Sequence, residues 1–525
     1  MKNQVPHLES EEMRADEEEE PAGTCLEAGM GRLAASPHPV LFDLLYRPQF
    51  SADVVHVLPW LLRIDAAHVV MLARQEILPR EAAADLLRLN RELEARAGRG
   101  EPVLEQPPAH RGLYFVYERL LVEQLGPEIG GAAHIARSRN DINAAVTRLR
   151  LRQELLDLLD VGFEMLAREL LVATERAATA MSGFSHFQPA QPATFGHYLA
   201  AVGAELLRSL DGLAASYDAV NRSPMGAGAG LGTSFPIDRE LTASLLGFEG
   251  LVDNSLDAVA SRDYAVQALS PLAMLGITLT RLALDLQIWS SPAYGFLRWP
   301  DDLVSTSSMM PQKRNVFVLE NVRGQAARPA SALIAILLGL KNTPFSNSVE
   351  VSSEVTSHLW PALAAGKTAI RLTTLALGRI EVDAVRMRDF LEWTETTMTA
   401  VADHLVACHG LPFRTAHEAV GRFLRQAPQR GASTPGLVKS GLEEVLRELS
   451  GRALPLDEAE IGRALDPLAC IQASRYGGGP SLESVESQLA RLSRELKTLT
   501  DRTASRRLRL HDADLQRTRA VEALL

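Results

Sequence analysis

Along this chain, hydrophobic residues recur in steps of three and four over stretches much longer than an ordinary globular helix. From Asp141 to about Met181 there is no proline. Leu149, Leu156, Leu159, Phe163, Leu166 and Leu170 mark one face of that stretch, with a single seven-residue gap. At 1.5 Å per residue the pattern predicts a helix about 60 Å long. Such a helix does not support itself and implies long neighbours in a bundle or coiled coil. Comparable patterns run from Ala193 to Tyr217, from Arg262 to Ser290 and from Val316 to Lys341. Upstream, the helical pattern from Asp53 to Arg99 breaks near Pro79. Pro102, Pro107 and Pro108 mark a loop before a helix holding Tyr117 to Leu125. From about Glu395 the helices become shorter, with Gly and Pro between them, and a charged helix ends the chain.

Gly- and Ser-rich joints separate the long patterns, at Met225 to Ser234, Ser305 to Asn315 and Asn342 to Ser353. Joints between rigid helices are where binding groups are commonly displayed. The pattern divides the chain into an acidic tail (1–40), an N-terminal helical domain (41–136), a central long-helix domain (137–390) and a C-terminal helical domain (391–525). The tail carries Asp16-Glu17-Glu18-Glu19-Glu20, a run that repels itself and stays solvated.

Composition narrows the class. The 525 residues include 46% hydrophobic but only 5% aromatic side chains, which suits Leu- and Ala-rich helices better than a sandwich or barrel. Acidic residues outnumber basic ones 65 to 54, so the net charge of −11 argues against nucleic acid as the main partner. Three distant cysteines, Cys25, Cys408 and Cys470, exclude a disulfide framework and fit buried thiols in a reducing cytoplasm. The N-terminus has no basic and apolar leader pattern, and the apolar run from Ala330 to Leu340 is too short to span a membrane.

Three segments carry candidate chemistry. Ser305-Thr306-Ser307-Ser308-Met309-Met310-Pro311-Gln312-Lys313-Arg314-Asn315 crowds hydroxyls, two cations and an amide into one loop. It suits binding of carboxylate or phosphate oxygens, and a nearby cation favours a serine alkoxide acting as a base. A flexible polar linker has the same composition, and residue types alone leave both readings open. His134-Ile135-Ala136-Arg137-Ser138-Arg139-Asn140-Asp141 precedes the longest helix, where Asn or Asp caps and N–H groups favour anions. Its arginines suit a bound carboxylate or acids between domains. Ser185-His186-Phe187-Gln188-Pro189-Ala190-Gln191-Pro192 reads as a Pro-bounded loop with a His beside a hydroxyl, either an acid/base group or a structural histidine. Gly226 to Gly232 lacks the strand and βαβ context of a dinucleotide site, so tight backbone packing is the better reading.

In this order the segments resemble the argininosuccinate lyase branch of the aspartase/fumarase superfamily. Arg137-Ser138-Arg139-Asn140-Asp141 matches the branch's RSRND, and the segment from Ser185 looks like its THLQxAQP. Ser307 to Asn315 resembles the signature SSxMPQKxN. Further matches run through Gly226 to Thr233, Asn254 to Ala258 and Pro412-Phe413-Arg414, so the resemblance covers about residues 53 to 490.

The resemblance implies an all-α, three-domain fold whose long central helices assemble into a tetrameric helix bundle, with active sites shared between subunits. It also implies β-elimination of an amine from an N-substituted aspartate, releasing fumarate with no cofactor and no metal. By resemblance Ser307 is the base, with Lys313 and His186 also catalytic. The substrate-binding residues it implies are Ser138, Arg139, Asn140, Ser185, Gln188, Ser308, Met310 and Asn315. The partners expected are the small-molecule substrate and copies of the same chain, with neither nucleic acid nor membrane.

Departures from the branch's pattern cluster in two places. Ala136 and Thr306 stand where it has Gly, so loop closure is expected to differ. The stretch that recognises the arginine arm is rewritten: Asn347 replaces Tyr, Ser352 replaces Gln and Val355 replaces Lys. The branch's DxHxxxE also becomes Gly112 to Glu118. The expectation is the same chemistry on a different leaving amine. True argininosuccinate cleavage is the alternative, and a silent binding or structural protein on this fold is a third reading.

Overall fold

The computed structural model describes residues 35–426 and 434–525, and the acidic run from Asp16 and Cys25 lie outside them. The described chain is overwhelmingly helical, with three short two-stranded sheets. Its described residues divide into two compact units, one of residues 35–62 and 81–133, the other of residues 63–80, 134–426 and 434–525.

In the smaller unit, helices Arg47–His56, Arg80–Gly98 and Leu113–Gly130 account for most of the backbone. The last is interrupted at Gly126, whose φ of 79° is open to glycine without strain, just before Pro127. His110 is fully buried within ring contacts of Phe42, Tyr46 and Phe50.

The larger unit is built on helix Arg139–Glu175, 37 residues long. Ser138 caps it: its Oγ accepts from the Asn140 N–H, and the Asp141 carboxylate accepts from the Ser138 N–H at 2.9 Å. Leu155, Leu158, Leu159 and Leu166 are completely buried along its length. Each contributes on the order of 1.5–3 kcal/mol by leaving water. The helix stops at Glu175, short of the Met181 limit that the proline-free run suggested. The reversal is fixed from outside: the Gly196 N–H bonds the Arg176 carbonyl at 3.0 Å and the Phe195 N–H bonds Thr179 at 2.9 Å. A Cβ on Gly196 would lie 2.5 Å from the Ala177 Cα, so only glycine allows this closeness.

Helix Phe195–Val220 then runs back along the first, and Asp263–Trp289 runs up again. The direction follows from contacts at the two ends. Near the start of Arg139–Glu175, Arg148 bonds the Ala219 carbonyl and lies 4.0 Å over the Tyr264 ring. At the far end Trp289 packs against Phe184, Phe195 and Tyr198. Asp263–Trp289 is long and apolar enough to cross a membrane by length and composition, but it is a core helix of the bundle, with Leu269, Leu272, Leu275, Leu279 and Leu286 buried.

The pattern from Val316 to Lys341 forms two helices, Phe317–Ala326 and Arg328–Leu340. Pro329 is the cause, because it cannot donate to the Gln325 carbonyl and crowds it. Gly276 fits into this break, where a Cβ would collide with the Ala326 carbonyl oxygen. Helix Leu359–Arg379 adds a further bundle member, and the 41-residue helix Leu482–Glu522 packs along the first two. Arg506 and Arg507 on that last helix pair with Asp218 and Asp157.

Residues from Met398 to Leu465 form a separate hydrophobic cluster built on Val401, Leu405, Val438, Leu442 and Ile461. The thiols do not share one fate: Cys408 is exposed, whereas Cys470 is buried and pushed up to about 11 by that burial.

Candidate active site

At the start of the 37-residue helix, Asp141 is the organising residue. Its second carboxylate oxygen accepts from the N–H groups of Gly226 at 3.2 Å and Gly228 at 2.9 Å. Both glycines have positive φ, which turns their N–H groups toward the acid. The glycine-rich stretch is therefore a packed anchor for this helix end, as tight backbone packing required. Burial raises the Asp141 carboxyl to about 6 despite three backbone N–H donors. Arg239 closes the other side of the turn by bonding the carbonyls of Met225 and Val252.

Arg137 and Arg139 separate in role. The Arg137 guanidinium is buried against Asp65 at 2.5 Å, which occupies it structurally, while Arg139 is exposed on the first turn. Asn140 bonds the Ala229 carbonyl, and its own carbonyl oxygen accepts from Asn347 at 3.0 Å. The Asn347 Oδ1 is buried without a hydrogen-bond partner among the described residues. Beside these groups lies the positive end of the helix dipole, which favours an anion.

Ala136 takes φ 61°, the left-handed region that the glycine of the resembled branch reaches freely, so one of the two departures carries backbone strain. Thr306 does not: it lies in a short strand. Ala136→Gly is expected to stabilise the fold by about 0.5–1 kcal/mol, read as a raised denaturant midpoint.

Nearby His68 is buried, and its Nε2 bonds the Ile135 carbonyl at 2.8 Å. Burial, with Arg137 adding to it, depresses its pKa to about 3. Since the unfolded ring titrates near 6.5, the neutral ring's stabilisation is complete above that pH and is lost as pH falls toward 3. Stability should drop by about 2 kcal/mol between pH 6.5 and pH 5 from this group alone. Urea titrations across that interval check it, and His68→Gln should flatten the slope.

The segment from Ser185 forms a β-hairpin where the sequence suggested a Pro-bounded loop. Strand Ala180–Ser185 pairs with Gln188–Thr194, with Ser185 opposite Gln188. Prolines occupy the second strand because this sheet has only two strands, which leaves them an edge. His186 and Phe187 form the two-residue turn at φ 53° and 61°, a geometry that glycine and asparagine favour. The turn holds Ser185, His186 and Gln188 exposed at its tip. Two strained non-glycine residues mark a constrained tip, as functional sites often carry. Behind it, Phe184 packs among Trp289, Tyr294 and Phe390.

The third segment is a seven-residue loop closed by pairing of Ser305 with Asn315 and Thr306 with Arg314. Arg314 bonds the Trp299 carbonyl at 2.9 Å and pairs with Asp301, which ties the loop to the end of the bundle marked by Trp289. The Ser307 Oγ accepts from the N–H groups of Met309 at 3.2 Å and Met310 at 3.1 Å. Two donors aimed at one hydroxyl oxygen stabilise its deprotonated form. Ser307 and Asn315 are half-buried, while Ser308, Met310 and Lys313 are exposed.

Within one chain these segments stand at opposite ends of the bundle. Ser138, Arg139 and Asn140 begin the 37-residue helix, and the hairpin follows its far end, roughly 54 Å away at 1.5 Å per residue. The loop holding Ser307 and Lys313 shares the hairpin's end, because Asp263–Trp289 runs up to it. What sequence reasoning missed was the Asp141 link to the glycine turn and the Asn140–Asn347 contact. Only the capping spacing of Ser138 and Asp141 hinted at the first.

The chain is similar to known proteins over most of its length. Residues 76–329 match the model of a family described as lyase, and residues 395–472 match the argininosuccinate lyase C-terminal model. The chain is 35% identical over 485 residues to argininosuccinate lyase 1 of Shouchella clausii, covering 92% of this chain and 97% of that one. A solved structure of EDDS lyase in complex with formate superposes with a TM-score of 0.81 at 28% identity, over 93% of this chain and 96% of that one. An EDDS lyase variant with bound fumarate gives the same score and identity over 94% and 97%. Together with the ordered motifs and the long-helix bundle, these likenesses place the chain in the argininosuccinate lyase-like branch of the aspartase/fumarase superfamily, the fumarate-forming carbon–nitrogen lyases.

Proposed function

We propose that the protein splits an N-substituted L-aspartate into fumarate and a free amine, at sites shared between copies of the chain. The observation that carries this reading is the Ser307 hydroxyl, whose oxygen accepts two backbone N–H bonds inside a loop that also holds Lys313. As an alkoxide, Ser307 takes the proton from Cβ of the aspartate. The C–H electron pair passes into the adjoining carboxylate, forming a carbanion with a second negative charge. Lys313, Asn315, Arg139 and the helix N-terminus at Ser138 to Asn140 supply the donors that this charge needs. The pair then forms the Cα–Cβ double bond as the C–N bond breaks, and His186 delivers a proton to the departing nitrogen. Ser185, Gln188, Ser308 and Met310 hold the two carboxylates and the chain of the substrate.

The leaving amine is one other than arginine. Support comes from Asn347, Ser352 and Val355, which replace the tyrosine, glutamine and lysine expected where an arginine arm is held. Losing such partners costs a polar arm about 1–3 kcal/mol each in binding. The unpartnered Asn347 Oδ1 instead offers an acceptor to an amine N–H. The name shared by the curated relatives favours a second reading, cleavage of argininosuccinate itself. Absorbance of fumarate during incubation with argininosuccinate separates the two: turnover at ordinary enzyme rates establishes the second reading and removes the first.

Shared sites require an oligomer, and we infer a homotetramer working in the cytoplasm. Large apolar side chains line the outer faces of the bundle helices, among them Met274, Ile277, Ile334, Leu337, Leu338 and Leu375, each at least 43% exposed in the single chain. Copies of the chain cover such a stripe.

A further inference from the structure

We propose that His404, His409 and Glu460, none of them a candidate active-site residue, bind a divalent transition-metal ion of the zinc class in the C-terminal helical cluster. The sequence reading called for no metal, because these residues form no ligand motif along the chain; folding brings them together.

Helix Met398–His409 ends at Gly410, whose φ of 66° lets its N–H return to the Leu405 and Val406 carbonyls. That stop leaves His404 and His409 on the helix's last turns. Helix Glu458–Leu465 begins beside it, with Asp457 capping the Glu460 N–H at 2.9 Å. Leu405 and Ile461 pack in the same buried cluster, which fixes the two helix ends against each other.

One ligand atom from each of the three residues lies within 4.8 Å of the other two. The His404 Nε2 stands 3.6 Å from the Glu460 Oε2, and the two imidazole rings meet edge to face with centroids 5.5 Å apart. Both Nε2 atoms are buried, and neither has a hydrogen-bond partner among the described residues. Buried polar nitrogens left open in this way call for an occupant. A histidine–glutamate ion pair alone does not supply it, since His409 would remain unpartnered. Two imidazoles and a carboxylate are a zinc ligand set with the fourth position open to water. Bonds of about 2.0–2.2 Å in a tetrahedron put ligand atoms roughly 3.3 Å apart, so small side-chain rotations close the site. The second oxygen, Oε1, lies 3.6 Å from Arg463, which holds the carboxylate in place while Oε2 faces the histidines. The ion would clamp two helix ends and thereby stabilise the cluster.

The test uses the untagged full-length protein, stripped with a chelator and titrated with zinc chloride or cobalt chloride. The expected result is one ion per chain, a melting temperature raised by about 2–5 °C with excess zinc, and a cobalt spectrum of tetrahedral nitrogen–oxygen type. His409→Gln and Glu460→Gln should each weaken binding more than about tenfold while leaving fumarate release unchanged. Absence of saturable binding would overturn the proposal, as would wild-type affinity in both variants. A cobalt spectrum with thiolate charge-transfer bands would also overturn it, by assigning the metal to Cys408.

Discussion

Ser307→Ala should lower kcat for fumarate release by about a thousandfold, within the range a positioned general base contributes. The reason is local. The alkoxide is favoured by N–H groups of Met309 and Met310 pointing at its oxygen, and alanine offers nothing to take the Cβ proton. KM should change little, because the carboxylates are held by other groups. The fold should survive too, since Ser307 sits in a loop outside the buried bundle. Rapid mixing with substrate followed at the fumarate absorbance band gives kcat, and light scattering confirms the assembly. Activity retained within a few-fold would remove Ser307 as the base.

The second large effect concerns where each site comes from. Asn140 and Ser307 stand at opposite ends of a bundle along which the 37-residue helix Arg139–Glu175 runs for roughly 54 Å. No side chain crosses that distance. A site using both must therefore take them from different chains. Asn140→Ala and Ser307→Ala each should leave less than about one per cent of activity, since each removes a donor or base acting on the transition state. Co-expressed with two different tags and purified through both, the mixed assemblies should regain about one quarter of wild-type activity. That figure is the product of two independent halves, the chance that one site receives both intact segments from different subunits. Sites built within single chains would leave the mixture as inactive as its components.

Much of this architecture was legible in the spacing of leucines. The long helices were marked because a three- and four-residue repeat has few other outcomes over such lengths. Their ends were less legible. Ala177, Ala178 and Ala180 read as helix, yet the chain reverses because Phe195 and Gly196 bond back to it, a tertiary effect that no local pattern carries. The hairpin at Ser185 was hidden for a related reason. Its turn residues, His186 and Phe187, are poor formers of that turn and are held there by the aromatic packing of Phe184 behind them. In the candidate site, residue types and order pointed to anion-binding loops. The roles of Arg137 and Asp141 emerged only from their buried partners, Asp65 and the glycine turn. The His404–His409–Glu460 cluster was illegible because 50 residues separate its last two members.

The central claim is elimination of an amine from an aspartate adduct, and its reverse is the addition of that amine to fumarate. One measurement addresses both: incubating the purified protein with fumarate and a panel of amines, arginine included, and detecting adducts by mass spectrometry. The expected product is a succinyl adduct of at least one amine other than arginine, absent with Ser307→Ala. No adduct with any amine, in a preparation whose assembly is intact, would contradict that claim.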